Sequence, residues 1–218
     1  MSHVLPRLVA FVLPFACALA ATPAIAVEVY GGIATTGFEL GASQNLDGLF
    51  VGRLEGNFLS YRRDFKTSDI DYDAKLKLAN AGGFVDLFFG GGFRLTGGAL
   101  VGSRKFSGTA KSLSGTIKVN GVVYPVTPAD TLAFEAKFPS VSPYLGIGYG
   151  HLQSAPGWHF YADAGVAFGR PKVTLSPSAS LAAKVTSANI LAEQQSAQDK
   201  ADDYRYYPVL KLGVRYAF

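Results

Sequence analysis

The sequence predicts an all-β chain, a transmembrane antiparallel up-and-down β-barrel of eight strands. Three observations predict it. Tyr207 to Phe218 alternate: Pro208, Leu210, Leu212, Val214, Tyr216 and Phe218 form one apolar set, and Lys211 and Arg215 fall in the other. Successive strand side chains point to opposite faces, so this is a strand with one greasy and one mixed-polar face. Mean hydropathy is positive, yet no stretch after residue 26 approaches eighteen consecutive apolar residues. Only helices and closed barrels satisfy their backbone in lipid, and a membrane helix is missing, so the barrel remains. All 25 glycines follow residue 26, a composition that suits strands that bend or pack closely.

Residues 1–26 read as a secretory signal. Arg7 supplies the positive start, Leu8 to Ala21 is an apolar run broken by Pro14, and Ala24-Ile25-Ala26 is a small-residue cleavage site. Pro14-Phe15-Ala16 before Cys17 is a poor lipidation context. Cleavage after Ala26 leaves one domain, 27–218, without cysteine, held together by hydrogen bonding and packing alone. Of 20 Lys+Arg only Arg7 precedes residue 27, and 16 Asp+Glu oppose the rest. That balance is too weak to imply nucleic acid.

The strands are expected as follows. Strand one covers 27–34, reversing at Thr35-Thr36-Gly37 into strand two, 38–44. Asn45-Leu46-Asp47-Gly48 turns into strand three, 49–63, and a polar loop 64–73 leads to strand four, 74–89. The Gly90–Gly92 run turns into strand five, 93–106. A long polar region to 131 holds Asn120-Gly121, a type I′ hairpin signal inside Ile117–Val123. Strand six is 132–151, a turn lies at 153–157, and strand seven is 158–175. A helix over 187–203 precedes strand eight. Short turns and long loops then alternate, as in bacterial outer-membrane barrels with both ends in the periplasm, which puts the helix outside the cell. The first reversal is so short that 27–44 also reads as one strand; seven strands would then move the helix to the periplasm.

Faces follow from the same alternation. Phe50, Leu54 and Phe58 oppose Arg53, Glu55 and Asn57; Trp158, Phe160, Val166 and Phe168 oppose His159, Tyr161 and Asp163; Leu145, Ile147 and Tyr149 oppose Tyr144 and three glycines. The polar faces collect Glu39, Arg53, Glu55, Asp86, Arg94, Asp163, Lys211 and Arg215, four acids and four bases. An eight-stranded bore is just wide enough for side chains to fill it. Charges there need partners, so equal signs imply a salt-bridged, largely filled interior. A conduit made from the same residues is the competing reading. Phe50, Phe88, Phe89, Phe93, Trp158, Tyr216 and Phe218 are expected at the periplasmic rim.

Other chemistry has little support. Only His151 and His159 follow the signal, too few for a transition-metal site. No serine and histidine stand two apart on one outward strand face, which a lipid-modifying hydrolase would need. Gly90–Gly92 lacks phosphate-loop spacing, and Asp69, Asp71 and Asp73 read as a solvated acidic loop. No cofactor is expected.

Four segments, Tyr72–Leu78, Gly92–Gly98, Pro143–Gly150 and Tyr206–Gly213, resemble the small outer-membrane β-barrel superfamily that includes outer membrane proteins A, X and W. The resemblance implies insertion into the bacterial outer membrane by the barrel-assembly machinery, with the terminal aromatics Tyr216 and Phe218 as the assembly signal. It does not fix a function, because a fold carries many. The expectation is a non-enzymatic integral membrane protein with a structural or surface-recognition role, contacting outer-membrane lipid and, through its loops, an extracellular partner. A passive small-solute channel is the alternative, followed by a lipid-modifying enzyme or a soluble periplasmic ligand-binding barrel.

Overall fold

A computed structural model of the chain describes residues 27–66, 70–151 and 156–218, so the signal segment 1–26 lies outside the described residues. Twelve strands form: β1 (Val27–Ala34), β2 (Gly37–Asn45), β3 (Phe50–Lys66), β4 (Ile70–Gly90), β5 (Phe93–Ser112), β6 (Thr116–Val119), β7 (Val122–Pro125), β8 (Thr131–Lys137), β9 (Val141–Tyr149), β10 (Gly157–Phe168), β11 (Lys172–Pro177) and β12 (Tyr206–Ala217). Among the described residues two helices, α1 (Ala179–Ala182) and α2 (Ser187–Asp202), precede β12. Eight strands close a ring in the order β1, β2, β3, β4, β5, β9, β10, β12 and back to β1, all antiparallel. Pairs such as Val29↔Tyr216 and Leu95↔Ile147 seal it. The even count brings the start of β1 and the finish of β12 to the same end of the ring, where Glu28 pairs with Ala217.

The predicted sixth and seventh strands are each broken in two. Phe138-Pro139-Ser140 separates β8 from β9, and Gly169-Arg170-Pro171 separates β10 from β11. Proline brings no N–H to a ladder, which is why both breaks fall at one. β5 pairs with β9 over Phe93–Val101 and with β8 over Lys105–Lys111. Gly102 makes the exchange of partners possible: its φ is 142°, and a Cβ there would lie 2.5 Å from Cα of Asn80.

Above the ring, β3, β4, β5, β8 and β11 continue as a raised wall on one side. The expected loops 64–73 and 107–131 are therefore partly strand, reaching Lys66, starting again at Ile70, and extending β5 to Ser112. Sequence polarity misled there, because a charged segment stays in a ladder when its neighbour continues beside it, as in Arg62↔Lys75 and Tyr72↔Ala110. The free edge of β11 is covered by α2. Gln198 Oε1 accepts from Val173 N at 2.8 Å, and Gln194 Oε1 from Leu175 N at 3.1 Å. Two glutamines four apart share a helix face, so one helix closes both open donors of the edge.

The β6–β7 hairpin turns at Asn120 (φ 49°) and Gly121 (φ 78°), both left-handed as a type I′ turn requires. It packs on the helical segment through a second small core of Val119, Val126, Leu181 and Val185. Asn120 N donates to Glu193 at 2.6 Å, and Asn189 Nδ2 to the Tyr124 hydroxyl at 2.6 Å. Asp130 anchors the layer, accepting from Lys184 Nζ at 2.6 Å and Thr127 N at 2.7 Å. The Lys184 ammonium, then the Thr127 amide, hold its carboxyl well below the usual range.

Outward positions of the ring are apolar and open: Phe160 is 79%, Trp158 73% and Leu54 71% exposed. Inward positions are polar and buried. Phe88 departs from its expected place at the rim. It is buried, because it shares the inward parity of Asp86 while Phe89 faces out, and adjacent strand residues cannot share a face.

Candidate functional site: the charged interior

Each ring strand except β9 sends an ionic side chain into the bore. Arg53 (β3) sits between two acids, with Nε 2.5 Å from Asp86 (β4) and Nη1 3.3 Å from Asp163 (β10). Arg94 (β5) bridges the same pair, 3.3 Å from Asp86 and hydrogen-bonded to Asp163. It also donates to Gly150 O at 2.5 Å, and Thr96 Oγ1 donates to Asp86 at 2.6 Å. Two guanidiniums and two carboxylates thus form a closed ring of opposite charge across four strands.

A second group lies beside it. Lys211 (β12) is 2.8 Å from Glu39 (β2) and bonded to Glu55 (β3). Tyr161 donates to Glu39 at 2.5 Å; Asn57 donates to Glu55 at 2.9 Å and Tyr30 to the same carboxylate at 3.2 Å. Of a third group the sequence reading named only Arg215. Glu28 (β1) pairs with Arg215 (β12), accepts from Ser43 at 2.9 Å, and lies 3.1 Å from Nδ1 of His151. All eight residues read as interior from the sequence are buried in this network, and Glu28 and His151 join them. Glu28 could have been found from the alternation of Glu28 and Tyr30 against Val29. His151 could not, because it follows β9 with φ 63°, outside any strand period. Ser43 and His151 meet the same carboxylate oxygen of Glu28. The other histidine-and-serine pairing in the sequence includes Ser154, which lies outside the described residues.

β9 contributes room instead of charge. A Cβ on Gly148 would strike the Asp163 carboxylate and come within 2.8 Å of the Arg94 guanidinium. The glycine lets the two-by-two ring of ions press against the wall.

An apolar layer closes over the ions on the side of the raised wall: Phe84, Leu100, Tyr144, Ala167 and Val209. Phe84 faces both groups, its ring centre 4.8 Å from Lys211 Nζ and 5.3 Å from the Arg53 guanidinium carbon. Tyr144 packs on it edge-on at 5.1 Å. Beyond this layer, Arg104 donates to Ser142 and to Pro139 O at 3.1 Å.

At the opposite end, Trp158, Tyr216 and Phe218 stack successively at 5.2 and 5.0 Å, an outward aromatic cluster. Asp73 lies 3.7 Å from Arg62 on the outer face of the wall, whereas Asp69 is outside the described residues. Among the described residues no three His, Cys, Asp or Glu side chains converge as metal ligands.

Neither a protein-family model nor a curated protein matches the chain. Solved structures do. Crystal structures of Acinetobacter baumannii CarO and CarO2 align with TM-scores of 0.62 and 0.63, each at 18% identity. Each alignment covers 89% of this chain, with 98% of CarO and 99% of CarO2. At that identity the likeness is one of fold: this chain shares the CarO type of eight-stranded barrel.

Proposed function

We propose that the protein is a non-enzymatic integral β-barrel of the bacterial outer membrane, its bore plugged by the ion network and its raised wall serving surface recognition. The observation that carries this reading is the inside-out distribution of side chains. Outward positions on β4 run Phe89, Leu87, Val85, Gly83, Ala81 and Ala79 before the first charge, Lys77. On β5 they run Phe93, Leu95, Gly97, Ala99, Val101 and Ser103 before Lys105. Each run is about the 9–11 tilted residues that cross a bilayer. The charges meanwhile sit inside, in pairs.

In this reading residues 1–26 are cleaved on export, the barrel-assembly machinery inserts the chain, and both termini face the periplasm. The raised wall and the β6–β7 and α2 layer then stand outside the cell. Kinship with outer membrane proteins A, X and W, drawn from sequence segments, belongs to the same proposal. Support for the plug comes from ion pairs and an apolar layer that follow one another along the bore.

Planar-bilayer recording tests it. The purified barrel is expected to give no steady openings. Steady openings whose size shifts on changing Arg53 or Asp163 would establish a small-solute channel instead. Extraction of the mature chain by salt without detergent would establish a soluble barrel.

A further inference from the structure

The outer face of the raised wall carries a row of lysines in one register. Lys77 on β4 faces Lys105 on β5, Lys105 faces Lys137 on β8, and Lys137 faces Lys172 on β11. Four ammonium stems therefore stand side by side on adjacent strands about 4.8 Å apart. Like charges directly opposite one another across a ladder destabilise it. Among the described residues one acid relieves the row, Glu135, which pairs with Lys105. The row above adds Arg62 and Lys75, and Arg62 has Asp73 at 3.7 Å. Arg170 extends the basic surface at the β10–β11 break. There Lys137, Lys172, Arg170 and Ser140, with Glu135 the one acid among them, line a concavity of about 310 Å³ beside Pro139.

Position gives the row its meaning. Lys77 and Lys105 are the first charged outward residues after the apolar runs on their strands. A ligand fitting this place must be anionic where it meets the lysines and oily immediately below. We propose that Lys77, Lys105, Lys137 and Lys172, with Arg170, bind the phosphorylated headgroup of an outer-leaflet lipid, while its acyl chains lie against the apolar wall. The inference rests on the membrane-barrel reading above. Phosphate suits the site because a lysine is a compact point charge with three donors, and two neighbouring ammoniums can share one phosphate. The row fixes the depth at which the barrel sits and holds the raised wall upright on the surface. One row above the lysines, Ser107 and Thr174 flank Glu135 and offer hydrogen bonds to the sugar that carries the phosphate.

The test uses the full mature protein in detergent, given equal amounts of diphosphoryl lipid A and of the same lipid with its phosphates removed. Native mass spectrometry reads which lipid stays bound. Each lysine near an anionic surface contributes about a fivefold preference, so three lysines give a preference on the order of a hundredfold. The preference of the wild type is expected to fall by that factor, about a hundredfold, in the triple variant Lys105→Gln, Lys137→Gln, Lys172→Gln. Equal retention of the two lipids by the wild type overturns the proposal, as does an unchanged preference in the variant. Release of the lipid by millimolar inorganic phosphate, at constant ionic strength, would make this a site for the free ion and also overturn it. A heat-modifiable gel shift separates the two readings. A protein that shows the shift without the preference loses the lysine site and keeps the barrel, and one without the shift loses both.

Discussion

Replacing Asp163 by Asn is the sharpest perturbation of the interior. Asp163 is the shared partner of Arg53 and Arg94, and its side chain is wholly buried. The variant keeps shape and volume but leaves two guanidiniums on Asp86 alone, one of them without a counter-charge. Removing one member of a buried pair costs about 3–5 kcal/mol, because the remaining ion is left desolvated. Trp158, the only tryptophan, lies on the outward face and reports insertion and unfolding by its emission. Urea titration in phosphatidylcholine vesicles should show a loss of about that size for D163N. The paired change Arg94→Met with Asp163→Leu removes one charge of each sign and leaves Arg53 bonded to Asp86. Because a buried pair replaced by apolar groups is often neutral, the double variant should unfold within about 1 kcal/mol of wild type. A D163N loss below about 1 kcal/mol would refute the reasoning, since it would mean that water reaches Arg53 and Arg94 and that the bore is wet.

Three further changes test separate elements. Gly148→Ala forces a methyl into the Asp163 and Arg94 pair and should cost about 1–3 kcal/mol, whereas Gly97→Ala, with open space around its Cβ, should be near neutral by the same urea titration. Gln194→Ala with Gln198→Ala leaves the β11 edge amides of Val173 and Leu175 unbonded, so their hydrogen exchange should quicken by about the worth of one hydrogen bond each, about 0.5–1.5 kcal/mol, without moving global unfolding. Asp130 has a carboxyl pKa lowered chiefly by Lys184. Its contribution is therefore complete above the ordinary carboxylate range and is lost as pH falls through the lowered value. Protease protection of the β6–β7 hairpin should stay flat from about pH 8 to about pH 5, fall only under stronger acid, and be lost at neutral pH in Asp130→Asn.

The sequence showed what depends on a period of two and hid what depends on a break in it. Alternation placed Arg53, Glu55, Asp163, Lys211 and Arg215 on inward faces, because a strand in lipid tolerates no other arrangement. The type I′ turn was legible in Asn120-Gly121, since few residues accept positive φ in succession. Alternation could not show the splitting of strands six and seven, which follows from Pro139 and Pro171 inside otherwise regular patterns. Nor could it show that the charged stretches around Asp64 and Asp73 stay paired. Strand or loop is decided there by what the neighbour does, and a single sequence does not state its neighbours. The burial of His151 was hidden for a related reason: a left-handed conformation just past β9 sets it against Glu28, outside the strand alternation.

Inward and outward charges on the same strands obey different rules, and the difference sorts structure from recognition. Inside, Asp86 and Asp163 each meet two cations, and Lys211 meets two acids; contact with an opposite charge is what burial demands, since an unmatched ion in a bore of low dielectric is costly. Outside, on the raised wall, Lys77, Lys105, Lys137 and Lys172 share one acid among the described residues. Solvent tolerates that imbalance, so folding does not require it, and the ladder would be steadier with alternating signs. A charge pattern that folding neither needs nor favours points to something beyond the chain. The interior ions are therefore the frame of this protein, and the lysine row, set where the apolar belt ends, is the place to look for its partner.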